Sequence, residues 1–225
     1  MKEQISKHIF EVRYKPNPSF LDKRGSITAQ IIGGRFDNWS ISNNKIDFVN
    51  SKTNEVSAFF SYANFGVITI PPVTKDDFLS ISEEFIKSAW QFFDTSTITR
   101  MGVRSIFLVQ VKDFTKLFEA YKNKFLGLPN DDLSSFGGDL IDVGFPLNFV
   151  NGDNFFNVVT GPMQKEQSKN IFGDEAFDAG FYLEVDYFTK EISPHIIQKR
   201  VISFIDEGVS KAVNLTAGIN KIVKI

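Results

Sequence analysis

Two short stretches hold the residue types that chemistry would need. In TRMGVRSIF, residues 99–107, a strand sends Arg100, Gly102 and Arg104 to one face. The two arginines then stand about 13 Å apart at two-residue strand spacing. Such a face can grip a carboxylate or phosphate through paired N–H donors. In YLEVDYF, residues 182–188, Tyr182, Glu184 and Asp186 share a strand face. Next-but-one carboxylates can do acid–base work or hold a divalent cation. Two readings stand side by side. Arg100, Arg104, Glu184 and Asp186 line a ligand site, or the two strands are neighbours and the four side chains pair with one another.

Other chemistries are poorly provided for. Cysteine is absent, which removes disulfides, thiolate metal sites and cysteine nucleophiles. The two histidines, His8 and His195, lie far apart in sequence, and neither neighbourhood reads as a nucleophile elbow. His195 reads as a first-turn helix residue facing solvent. IIGGRF and SSFGGDL lack the spacing and the flanking Lys-Ser/Thr of phosphate-binding loops. No catalytic residue, resident metal or cofactor is assigned, and the balance falls against an enzyme.

Composition bounds the object that carries these stretches. The 225 residues hold 42% hydrophobic and 23% charged residues, as an ordinary globular chain does. Twenty-five phenylalanines against 5 tyrosines and 2 tryptophans imply rings packed inside or at an interface. The net charge of −2, with scattered lysines and arginines, argues against nucleic acid as the main partner. Neither a leader segment nor an apolar run of membrane-spanning length is read, so the expected compartment is the cytoplasm.

Periodicity then supplies the elements. KHIFEVRYK alternates, with His8, Phe10, Val12 and Tyr14 on one face and Ile9, Glu11, Arg13 and Lys15 on the other. A helix is expected from Ser19 to Gly33-Gly34. Two strand runs follow at residues 36–50 and 55–70, joined by the turn SKTN. Thr74 and Asp77 open a helix whose stripe is Phe78, Ile81, Phe85, Ala89 and Phe92. The order then starts again. The arginine strand leads to a helix opened by Asp113 and closed by Gly127. Two strands meet at Asn151-Gly152 and the carboxylate strand follows. Ser193-Pro194 then begins a long helix with Ile197, Val201, Phe204 and Ile205 on its apolar side.

The near-identical endings IDFVN, residues 46–50, and LNFVN, residues 147–151, fall at matching places in this order. They predict an α+β protein of two related halves, 1–95 and 96–225. Mostly antiparallel strands should form one continuous sheet or two abutting ones, with helices packed on one face. Residues 128–140 and 163–179, rich in Gly, Ser, Asp and Asn, read as loops over a site.

FEVRY, ITRMGVRSIF and YLEVDYF, followed by a long helix, resemble a sporadically distributed bacterial family of uncharacterised proteins. Its members share an F-E-L/V-R-F-like strand, a central R-x-G-x-R-Y strand and a late D-x-D-like strand. Here Ser105 replaces the aromatic, and Glu184 the first aspartate. The resemblance implies no activity; the family's patchy distribution is similar to that of genes in mobile or defence-associated loci. The strand order also resembles gyrase-inhibitor-like tandem domains, which implies a ligand between the halves. The chain is thus expected to be a non-enzymatic binding or interaction module, with a protein partner or a second copy. The alternative is a sensor of a small molecule or anion held in the cleft between the halves.

Overall fold

The computed structural model describes residues 3–93, 98–129, 132, 133 and 135–224, without the side chains of residues 194–198. The boundary expected at residues 95 and 96 therefore lies outside the described residues, as do the side chains of His195 and Ile197 and part of the 128–140 segment.

The fold is α+β, built on one nine-stranded antiparallel sheet. In chain order its elements are β1 (Gln4–Tyr14), α1 (Phe20–Ile31), β2 (Asn38–Ile41), β3 (Lys45–Val49), β4 (Val56–Ser61), β5 (Asn64–Thr69) and α2 (Lys75–Trp90). They continue with β6 (Ile98–Gln110), α3 (Phe114–Tyr121), β7 (Phe145–Asn151), β8 (Asn154–Gln164), α4 (Lys165–Phe172), β9 (Ala179–Ile192) and α5 (Pro194–Val223). The strands lie in the order β2-β3-β4-β5-β1-β6-β9-β8-β7. Two long strands, β1 and β6, thus pair at the centre, and each flank runs outward from its last strand to its earlier ones. Counted from the centre, β3 and β7 hold the same place.

Each strand run of the first flank is a hairpin, not one strand. Residues 42–44 and 62–63 turn the chain, so four strands stand where two runs were read. The core-facing positions switch parity at each turn, from Ala58 and Phe60 to Phe65 and Val67, a phase change that marks the turn. In the other flank Gly152, at φ 59°, turns β7 into β8, a conformation that a side chain would strain.

The alternation on β1 becomes the two faces of the sheet. His8, Phe10, Val12 and Tyr14 are buried under α1, α2, α3 and α5, in a core that includes Phe48, Phe65, Phe85, Tyr121, Phe181 and Tyr187. α2 forms because Thr74 caps it, accepting from the Asp77 amide at 3.2 Å, while Phe78, Ile81, Phe85 and Ala89 bury one stripe. Ser19 makes no such cap for α1; Asn17 accepts the Ser19 amide instead.

Helices do not keep to one face. α4, within the 163–179 segment expected as a loop, lies on the opposite side. There Ile171 and Phe172 cover Ile106, Leu108 and Tyr182. Those residues form an apolar corner on a face that is otherwise polar, and burying them rewards a helix at that point. Phe92 falls beyond the end of α2, and residues 122–126 close α3 with a π turn before Gly127. Among the described residues no helix is long and apolar enough to cross a membrane.

Candidate functional site

The face opposite the main helices carries the four expected side chains, and they meet. β6 and β9 are neighbours, with Arg104 directly across from Asp186. Arg100 Nη2 donates to Asp186 Oδ1 at 2.5 Å. Arg104 Nε lies 3.3 Å from Glu184 Oε1, and its Nη2 lies 3.8 Å from Asp186 Oδ2. The Tyr182 hydroxyl donates to Glu184 Oε2 at 2.6 Å. Burial, then the neighbouring Glu184, pushes the Tyr182 hydroxyl pKa well above its usual value, so it stays a donor.

The network reaches further than the sequence reading placed it. Arg100 Nη1 stands 3.7 Å from Glu11 Oε2, which also accepts from Arg13 Nε at 2.7 Å. Asn64 Nδ2 donates to the other Glu11 oxygen at 2.7 Å, and Ser61 bonds to Asn64. The chain of contacts therefore spans β5, β1, β6 and β9. The signal for Glu11 and Arg13 was present in FEVRY, whose polar face they share, but nothing local said that β1 would lie beside β6.

Gly102 is what lets Arg100 lie down. A Cβ there would sit 2.7 Å from Arg100 Nη1, so any other residue would displace the guanidinium from the strand surface. Phe188 supports the same guanidinium, with its ring centre 4.6 Å from Cζ. A hollow of about 140 Å³ lies here, where β1 meets β6, and Arg13, Arg100, Arg104, Glu11 and Asp186 border it. Three guanidiniums face three carboxylates, Glu11, Glu184 and Asp186, so the cluster balances its own charge. Arg100 and Asp186 are mostly covered, whereas the Arg104 side chain is 45% exposed. The geometry is that of a self-satisfied ion-pair ladder across the centre of a sheet.

A much larger concavity lies at the far end of β8 and β9, beside α5. This cleft of about 930 Å³ is bordered by Met101, Ile192, Arg200, Ser203, Phe204 and Glu207, and by the β8 and β9 ends at Phe155 and Lys190, whose side chains meet Phe188 on the other face of the sheet. The Tyr187 hydroxyl donates to Glu207 Oε1 at 2.6 Å, and burial, then Glu207, raises its pKa. The sequence reading singled out none of its charged residues, because they come from a strand end and a helix flank that only the fold brings together.

The sheet's outer edges form a third feature. β7 is seven residues long, FPLNFVN, and has no charge. Leu147, Phe149 and Val150 are exposed, as is Val159 beside it on β8, with Val150 at 68%. β2, the opposite edge, has four residues.

No protein-family model matches the chain, and no curated protein matches it in sequence. The resemblances drawn from its motifs therefore add nothing to these sites, which stand on their geometry.

Proposed function

We propose that the chain is a non-enzymatic interaction module whose working surface is the β7 edge. One observation carries this reading. On the first flank β3 is covered by an outer strand, β2, whereas β7, at the same place in the strand order, is itself the edge. Edge strands present a row of unpaired backbone donors and acceptors, and proteins usually shield them with charges, bulges or short length. β7 has neither a charge nor a short length, and its exposed Leu147, Phe149 and Val150 offer apolar contacts to an incoming strand.

A second copy of β7 fits this edge without any charge to oppose it. In antiparallel pairing about Asn148, Leu147 meets Phe149 and Pro146 meets Val150 of the other copy. Pro146 is compatible with an edge, where its missing N–H costs no bond to β8 if it faces outward. The anion-sensor reading at the junction of the halves is less well supported, because the arginines there already face carboxylates.

Light scattering across a concentration series tests the proposal. A dimer that Val150→Lys converts to monomer, without lowering the melting temperature, is the expected result. A wild-type chain that stays monomeric at about 100 μM, near the weak end of specific association, overturns self-pairing at β7.

A further inference from the structure

The first flank holds, within the chain, the kind of strand pairing that the β7 edge lacks. β2 lies antiparallel on β3, with Trp39 opposite Phe48 and Ile41 opposite Ile46. Phe48 and Ile46 are buried in the core, so Trp39 and Ile41 stand on the helix side of the sheet. Asn38 and Ser40 fall opposite Val49 and Asp47 on the other side. No charged residue occurs from Asn38 to Asn44.

β7 repeats the surface that β2 covers. Aligning IDFVN with LNFVN sets Leu147 at the place of Ile46, Phe149 at that of Phe48 and Val150 at that of Val49. Leu147 and Phe149 lie opposite the buried Val158 and Phe156 of β8, and so on the helix side. They are 37% and 41% exposed, against 0% for Ile46 and Phe48. The backbone corresponds as well. Val49 accepts the Asp37 amide at 3.2 Å and Lys45 the Ser42 amide at 2.8 Å, so alternate residues of β3 turn their carbonyls toward β2. Strand direction and side-chain face together fix where a residue's N–H and C=O point. Both match between β3 and β7, so Pro146, Asn148 and Val150 turn theirs outward. Pro146 keeps its carbonyl, the group that Lys45 uses at this place.

A strand added to β7 therefore meets what β2 meets on β3. Resting on β7 as the working edge, we infer that its occupant is an uncharged extended segment of a partner protein, running antiparallel to it. The segment sets an aromatic residue opposite Phe149 and, two residues later, an aliphatic one opposite Leu147, as Trp39 and Ile41 do on β3. A second copy offers its apolar residues in the reverse order, with Leu147 opposite Phe149. It lacks the aromatic pair across the strands, one of the stabilising cross-strand combinations, and is the weaker occupant.

The test uses the whole chain and labelled peptides: residues 38–44, the same peptide with Trp39 and Ile41 exchanged, the same peptide with Trp39→Lys, and residues 145–151. Fluorescence anisotropy is read on wild type, Asn148→Pro and Val150→Lys, beside light scattering of each protein. The 38–44 peptide should bind wild type. The exchanged peptide should bind about threefold more weakly, within the range of a cross-strand pair, and the Trp39→Lys peptide about tenfold or more. Asn148→Pro removes an outward N–H and Val150→Lys adds a charge to the edge, and each should weaken binding by about tenfold or more. Binding that both variants leave intact, equal binding of the exchanged peptide, or tighter binding of residues 145–151 would each overturn the inference. A dimer that Val150→Lys dissolves, with no peptide bound, would overturn it while leaving β7 as the working edge. Neither a dimer nor peptide binding would overturn both.

Discussion

Phe48 on β3 and Phe149 on β7 are the same residue in the same local sequence, at the same place in the strand order and on the same face of the sheet. Phe48 is fully buried, while Phe149 is 41% exposed. Phe48 lies between the rings of Phe36 and Phe85, with centres at 6.2 and 6.4 Å, and β2 continues the sheet beyond it. Among the described residues Phe149 has one ring neighbour, Phe156 on the adjoining strand at 4.8 Å. The difference teaches that a strand's sequence sets which face a side chain takes, while burial depends on what else the chain delivers to that face. One flank delivers an outer strand and the middle of α2; the other ends at β7.

The sharpest way to break this comparison is to empty the sealed flank. Phe85→Ala or Phe48→Ala should cost about 3–5 kcal/mol in urea unfolding, the range for a core aromatic reduced to alanine. A loss below about 1 kcal/mol would mean that the seal is not one.

The same helix seals His8 on β1, stacked 5.2 Å from Phe78 with Nδ1 3.0 Å from Ser105 Oγ. Burial lowers the His8 pKa from 6.5 to about 4. The unfolded chain therefore takes up this proton near pH 6.5, and the folded chain refuses it until about pH 4. The contribution is fully present above pH 6.5 and is lost as pH falls through that window, by on the order of 3 kcal/mol at about 1.4 kcal/mol per unit. Urea unfolding at stepped pH should show this loss, and His8→Gln should remove the histidine's share of it. Identical profiles for the two proteins would refute the assignment.

Within the ion-pair ladder the two arginines provide a smaller contrast. Arg100→Met leaves Asp186, 14% exposed, with only the distant Arg104, and should cost about 2 kcal/mol. Arg104→Met removes a half-exposed partner and should cost less than about 1 kcal/mol. Equal effects would show that coverage does not govern the ladder.

The smallest effect belongs to the open flank. Phe149→Ala should change the stability of the monomer by less than about 1 kcal/mol, as expected for a residue outside a core. A cost approaching that of Phe48→Ala would show that β7 is covered in solution, which the concentration dependence of the unfolding midpoint would then expose.

The sequence by itself determined what depends on neighbours a few residues apart. The two faces of β1, the capped stripe of α2, the Asn151-Gly152 turn and the placing of Arg100 with Arg104 and of Glu184 with Asp186 on strand faces all follow from periods of 2 and 3.6 and from local backbone chemistry. Only the tertiary structure decided which strands became neighbours. That choice placed β6 between β1 and β9, and so drew Glu11 and Arg13 into the ladder. It also set Arg200 of α5 beside the ends of β8 and β9, and left β7 without the outer strand that β3 has. α4 belongs with these: its eight residues look like a polar loop until the fold supplies the apolar corner of Ile106, Leu108 and Tyr182 for Phe172 to cover. Short helices form where packing rewards them, and the reward lies on strands up to about sixty residues away in the chain.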